Sequence, residues 1–364
     1  MAAPDLSLTG VPLAVRPGRR LQVGSSPRSG SVVGPLERDE VEALLALAVH
    51  GPTSATAAGA RRAAALLREL TVSGAVLPGR LAAGVRRLSP GPTSRWVPDA
   101  VAWAAYDPDG PPGPERLAAR RRRRVAVVGA GRTGAGLAAV LSAAGIGRVV
   151  AEDGRLVAEA DVSPAGLRAE HVGSRRGSAA EQVAAEVAVP HPVRRPGRRA
   201  AREDDGPGRD GPADLVVLVD HHAARSASAQ QLLAQDVPHL SVVVRDTDAV
   251  VGPLVLPGRT ACLRCLDLHR TDADPGWPLA LDQLSTAALS PTAAGTAHEE
   301  TATATLLAGL VALQVLAHLD GLTPLARGAT LEVLLPEGVV QVRRWLPHPE
   351  CGCVDLPLPG TAAG

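Results

Sequence analysis

The chain contains no lysine and no phenylalanine, and it has a single isoleucine, a single tyrosine and a single methionine. Without lysine, all 38 basic side chains are arginine, so every cationic contact is made by a planar guanidinium and none by a compact ammonium. Without phenylalanine, the core falls to Val, Leu and Ala, with four Trp as the large aromatic anchors. This narrow alphabet reads as high-GC base composition and not as a functional device. An excess of charge is missing too. A formal net charge of +1 argues against a nucleic-acid surface, or an acidic substrate gripped by bulk electrostatics. No apolar run approaches the ~20 residues that span a bilayer. Met1-Ala-Ala-Pro-Asp5 has neither the basic nor the apolar region of a secretion signal. The expectation is a cytoplasmic protein with no membrane partner, in which four cysteines point to metal or catalysis more than to disulfides.

A length of 364 residues allows two domains with cores of their own. Residues 1–106 read as a small α+β, winged-helix-like domain. Short strands begin at Leu13, Leu21 and Ser31; a helix spans Glu37 to Val49, and a second helix carries Ala63, Leu66, Leu67 and Leu70 on one face. Such a module is either a packing appendage or a peptide-recognition domain that offers a sheet edge to an extended peptide. Residues 107–124 read as a linker, turn-rich at first and ending in five consecutive arginines, Arg120 to Arg124. That run is either a solvated stretch or a contact for nucleotide phosphate.

Residues 125–364 open on the run from Val125 to Val128, followed by Gly129-Ala-Gly131-Arg-Thr-Gly134 and an Ala- and Leu-rich segment. The order is strand, glycine turn, helix, in which the turn and the first free N–H groups of the helix cradle a phosphate. A second strand, Arg148 to Ala151, leads to Glu152 and Asp153. An acid about 20 residues after such a turn is placed to accept the ribose hydroxyls. Pro190 to Pro212 reads as a surface loop, and Asp214 to Asp220 as a buried parallel strand with His221 and His222 at its end. A strand from Val250, a long apolar helix from about Glu299 to Leu319 and a closing hairpin around Pro336 complete an α/β, Rossmann-like mixed sheet with helices on both faces. The cysteines form two short pairs, Cys262 with Cys265 and Cys351 with Cys353. Two chelating pairs complete a tetrahedral thiolate site of the kind that holds structural zinc, which would clip the C-terminal part shut. A redox pair or four unlinked thiols are the other readings.

Together these pieces resemble the ThiF/MoeB/HesA superfamily, relatives of ubiquitin-activating enzymes, from about Arg124 to Cys353. The likeness is strongest to ThiF-like proteins of actinobacterial peptide-modification clusters, which carry an N-terminal leader-peptide-recognition module and share the run Cys262-Leu-Arg-Cys-Leu-Asp-Leu-His-Arg270. The resemblance implies ATP with magnesium as cofactor, and adenylation of the carboxyl terminus of a precursor peptide or small carrier protein. It also implies pairing as a homodimer, and a partner modifying enzyme such as a cyclodehydratase. In family terms Gly129, Gly131 and Gly134 lie beneath the phosphates, Asp153 holds the ribose, and Arg168, Arg176 and Asp220 serve the reaction. Arg176 stands where the family has a lysine, and Ala223 where it has a magnesium-binding aspartate. Three functions therefore stay open: an adenylyltransferase, a catalytically degenerate member that binds a leader peptide for its partner, and an NAD-dependent oxidoreductase built on the same turn. If zinc takes all four cysteines, none remains to form a thioester.

Overall fold

The computed structural model describes residues 6–8, 13–23, 31–42, 44, 76–78, 95–106, 111, 113–189, 211–289 and 299–354. The helix expected around Ala63 to Leu70 and most of the loop expected over 190–212 lie outside these residues. The chain divides into two compact units near residue 120.

In the first unit, β1 (Leu6–Leu8) pairs antiparallel with β5 (Val76–Pro78). Strands β2 (Leu13–Arg16), β3 (Arg20–Val23) and β4 (Ser31–Val33) form an antiparallel sheet. Along β3 the side chains alternate, with Leu21 and Val23 turned into a core that also holds Leu36 and Leu44. Residues 38–42 are helical, as the spacing predicts. Two helices follow, α1 (Val97–Tyr106) and α2 (Gly113–Arg120). The Arg116 guanidinium lies 4.8 Å over the Trp103 ring. A helix thus occupies part of the stretch that turn-forming residues mark as a linker.

The second unit is built on seven strands: β6 (Arg124–Val128), β7 (Arg148–Glu152), β8 (Leu215–His221), β9 (His239–Val244), β10 (Asp248–Val255), β11 (Ala329–Leu334) and β12 (Val339–Arg344). Their order is β12-β11-β10-β9-β8-β6-β7. Strands β7, β6, β8 and β9 are parallel, and β10 to β12 run antiparallel to their neighbours. This is the mixed α/β sheet expected. Strands β8 and β9 are buried along almost their whole length, because helices cover both of their faces.

One face carries α3 (Arg132–Ala143), α4 (Arg176–Val187) and α8 (Thr301–Leu319), the other α5 (Ser226–Ala234) and α6 (Leu263–Ala273); α7 (Trp277–Leu289) follows α6. On the first face Ala130, Ala135, Ala151, Leu167, Ala179 and Ala180 form one buried cluster. On the second, Ala126, Val216 and Leu218 pack with Ala229 and Leu263.

The 19-residue α8 corrects one expectation, since by length and composition it is apolar enough to cross a membrane. Its Ala304, Leu307, Ala308 and Val311 are buried, and Ala308 meets Gly136 of α3, the packing of a core helix. Near the start of this unit, Arg120 and Asp320 form a bidentate ion pair, with bonds of 3.0 and 2.6 Å and both side chains buried. Arg123 pairs with Asp214 at 2.9 Å. The arginine run is therefore in part structural, and not simply solvated.

Candidate functional site

Strand β6 ends at Val128, and three features of the turn explain its glycines. Gly129 has φ 95°, and a Cβ there would meet the Val219 carbonyl oxygen at 2.4 Å. A Cβ on Gly134 would stand 1.9 Å from the Gly129 carbonyl oxygen, so this glycine is fixed by the close approach of helix and turn. Gly131 differs: nothing lies within 4 Å of where its Cβ would be. The fold does not require a glycine at 131. What its missing side chain leaves is open space over the turn, which suits a ligand that approaches the backbone closely.

Beside the turn lies a cavity of about 470 Å³, lined by the ends of β6, β7 and β8 through Val128, Gly129, Asp153, Arg155, Asp220 and Arg225 among others. These are the carboxyl ends of adjacent parallel strands, where open α/β sheets bind ligands. Asp153 is nearly enclosed. Its Oδ2 accepts the Ala130 N–H of the turn at 3.0 Å, and its Oδ1 accepts the backbone N–H of Arg155 at 3.0 Å. The Arg155 guanidinium closes on the same carboxylate with bonds of 3.1 and 2.9 Å. Burial alone would raise the pKa of Asp153, but Arg155 and these backbone donors outweigh it and hold the group below the usual carboxylate range.

Arg176, the first residue of α4, is buried with its guanidinium on Asp161 at 2.7–2.8 Å and 3.9 Å from Asp153. It therefore reaches the cavity through Asp153. Arg168 is not brought to the cavity. It is half-exposed and pairs with Glu186 of α4 at 2.5 Å and with Glu170 at 3.6 Å.

On the other side of the turn, Asp220 is buried near the end of β8. It accepts the backbone N–H of Arg225 at 3.0 Å and is gripped by the Arg225 guanidinium. His221, the last residue of β8, lines the same cavity, and its burial lowers its pKa. Its Nε2 lies 3.8 Å from Glu299 Oε1. Neither atom has a hydrogen-bond partner, nor does the buried Thr133 hydroxyl at the start of α3. The other Glu299 oxygen accepts the Thr133 N–H at 3.1 Å. Buried polar atoms without partners are rare in native proteins, and here three surround the N-terminus of the turn helix. Arg132, in contrast, is fully engaged with Ala160, Val162, Glu299 and Thr301.

Sequence reasoning missed Arg155, Arg225 and Glu299. Among 38 arginines, spacing alone carries no signal for the two that face a cavity. Ala223, which the sequence resemblance sets where that family has a magnesium-binding aspartate, is buried. Among the described residues no group of three or more metal-ligating side chains lies in this cavity.

The four cysteines do come together. Cys262 and Cys265 lie 3.9 Å apart through their sulfurs, Cys262 and Cys351 3.5 Å, and Cys265 and Cys353 3.4 Å. A tetrahedron with metal–sulfur bonds of ~2.3 Å has edges of about 3.8 Å, and all four sulfurs lie within 4.8 Å of one another. The hydrogen bond from Cys262 draws the Cys265 thiol down to about 4, while burial pushes Cys353 up to about 12. Without a cation the cluster favours one thiolate, and a metal ion would hold all four. A neighbouring trio, His269, Asp272 and His348, is different. His348 Nδ1 accepts the Glu350 N–H at 3.1 Å and its Nε2 lies 2.9 Å from Asp272, so its ring is already committed as a brace.

No curated protein matches the chain. Among solved structures it is similar to the Escherichia coli Microcin C7 biosynthetic enzyme MccB. The MccB structure with succinimide has a TM-score of 0.69 at 15% identity, over 96% of this chain and 99% of that one. The structure with AMPCPP and the peptide MccA gives the same values. PaaA is similar with a TM-score of 0.53 at 15% identity, over 78% of this chain and 92% of that one. At such identities the likeness is one of fold. The ThiF family matches residues 104–353, more than half of the chain, and the protein belongs to the ThiF family.

Proposed function

We propose that the chain is an ATP-dependent adenylyltransferase that activates the carboxyl terminus of a peptide or small protein. The observation that carries this reading is the Asp153 carboxylate, held at the end of β7 against the Ala130 N–H of the glycine turn and inside a cavity. Membership of the ThiF family supports it, as does likeness to MccB, which has been solved with ATP and with MccA. The N-terminal residues 1–106 would hold the peptide's leader, and residues 125–364 would carry the chemistry. The open space over Gly131 and the unpartnered Thr133 hydroxyl suit a polyphosphate nucleotide.

In the reaction a peptide carboxylate oxygen attacks the α-phosphorus of ATP. A phosphorus–oxygen bond to the acyl group forms, the bond to the bridging oxygen of the β-phosphate breaks, and pyrophosphate leaves with that electron pair. No proton moves. Gly129, Gly131 and Gly134 let the backbone lie beneath the phosphates, Asp153 accepts the ribose hydroxyls, and Arg176 holds Asp153 in place. Asp220 keeps the far wall ordered. Zinc at the four cysteines would serve structure, since such a site leaves no open coordination position.

Exchange of labelled pyrophosphate into ATP, dependent on an added peptide with a free carboxyl terminus, is the expected result. A second reading, binding without turnover, rests on Ala223; it predicts that nucleotide and peptide bind while no exchange occurs. Stabilisation by NAD and not by ATP in a thermal-shift assay would return the oxidoreductase reading.

A further inference from the structure

The cavity has an arrangement that the glycine turn by itself does not explain. In the sheet, β6 lies between β7 and β8, so the turn after β6 is flanked by the ends of both neighbours. Each neighbour delivers the same device. After β7, Asp153 accepts the backbone N–H of Arg155 at 3.0 Å and is also held by the Arg155 side chain. At the end of β8, Asp220 accepts the backbone N–H of Arg225 at 3.0 Å and is also held by the Arg225 side chain. Both arginines line the one cavity.

The exposures within each pair are unequal. The side chains of Asp153 and Asp220 are each 4% exposed, against 44% for Arg155 and 32% for Arg225. The carboxylates are fixed and the guanidiniums are at the surface of the cavity. If a guanidinium leaves, its carboxylate is not stranded. Asp220 keeps the Arg225 N–H, and Asp153 keeps the Arg155 and Ala130 N–H groups with Arg176 close by. The other cations near the turn are not free in this way, because Arg132 is spent on carbonyls and Arg176 is buried on Asp161.

We infer that Arg155 and Arg225 are the phosphate ligands of this site, parked on Asp153 and Asp220 until a nucleotide arrives. The inference rests on the reading of the cavity as an ATP site. A polyphosphate laid over the turn carries several negative charges and presents oxygens to both sides. Each guanidinium then exchanges a single carboxylate for a more highly charged, bidentate acceptor. Asp153 is at the same moment released to accept the ribose hydroxyls. In a chain without lysine, two arginines would supply the positive charge on either side of the phosphates.

Calorimetric titration of the full-length chain with ATP and, separately, with adenosine tests this. The wild type is expected to bind both. Arg225→Gln and Arg155→Gln are each expected to weaken ATP by roughly 10- to 100-fold and to leave adenosine within about twofold. Arg225→Lys keeps the charge but not the fork, and is expected to recover only part of the ATP affinity. The double variant Arg225→Gln with Asp220→Asn removes the carboxylate that the single variant would leave bare. ATP binding that stays weak in it supports direct ligation, and ATP binding restored in it overturns the inference. Equal loss of ATP and adenosine in the single variants, or no loss of either, overturns it as well. A wild type that binds neither ligand instead removes the nucleotide reading of the cavity on which the inference stands.

Discussion

His239 opens β9 with its side chain fully buried. Its Nδ1–H donates to the Val237 carbonyl at 2.9 Å, and its Nε2 has no partner. Burial lowers its pKa, so the folded chain keeps the ring neutral where the unfolded chain, at about 6.5, takes up a proton. Its contribution to stability is therefore full above about pH 6.5. It falls as the pH drops from there towards the folded value and is constant below that. Denaturant midpoints measured between pH 5 and 7.5 are expected to decline on the acid side, and His239→Gln is expected to flatten that decline. At the same scale, Asp153 and the four cysteines were legible in the sequence, because strand-turn-strand spacing and paired Cys-x-x-Cys and Cys-x-Cys runs fix position along the chain. Arg168 and Arg176 were not placed so well. Which way an arginine points depends on neighbours far away in sequence: Glu186 draws Arg168 outward, and Asp161 draws Arg176 inward.

Among the elements, the arginine run is the instructive case. As a string it looks like charge in search of solvent. In the fold, Arg120 also donates to the Ala144 carbonyl at 3.0 Å, which joins the end of α3 to the Asp320 cap of α8. The acceptor, Asp320, lies two hundred residues away in the chain, beyond any local pattern. Removing one partner of such a buried pair leaves an uncompensated charge and costs about 3–5 kcal/mol. Arg120→Met is expected to lower unfolding free energy by that order, and Arg120→Met with Asp320→Leu to recover much of it. A double variant no better than the single one would mean that the carbonyl bond, and not the ion pair, holds this corner. Helix α8 shows the converse limit. Its composition passes for a membrane span, and only its packing on α3 shows the core helix.

For the molecule as a whole, alternating strands and helices with a late antiparallel hairpin made the mixed sheet of the second unit legible from residue 124 on. Among its described residues, the first unit was legible in strands β2 to β4 and in the helical residues 38–42. Its described strands are three or four residues long, too short for a periodic pattern to carry far. The sheet order also sets where things happen. The cavity proposed for the nucleotide lies at β7, β6 and β8, whereas the cysteines flank the antiparallel strands: Cys262 and Cys265 follow β10, and Cys351 and Cys353 follow β12.

Cys262 and Leu263 join these two regions within a single peptide bond. Cys262 belongs to the thiol cluster with Cys265 and Cys353. Leu263 packs with Ala126, Val216 and Leu218, and Val128, packed against the same cluster, lines the nucleotide cavity. Two ligands whose binding orders adjacent residues share a coupling free energy, and that coupling must be reciprocal. If the four cysteines hold zinc, as proposed, chelating it is expected to weaken ATP binding by about fivefold or more. ATP must then tighten the metal by the same factor, as read by a competing chromophoric chelator with and without nucleotide. Unequal factors would show that metal removal unfolds the site, and equal factors of one would show the two ends of the sheet to be independent. Equal factors above one would make a zinc clip at these cysteines a heterotropic effector of ATP binding.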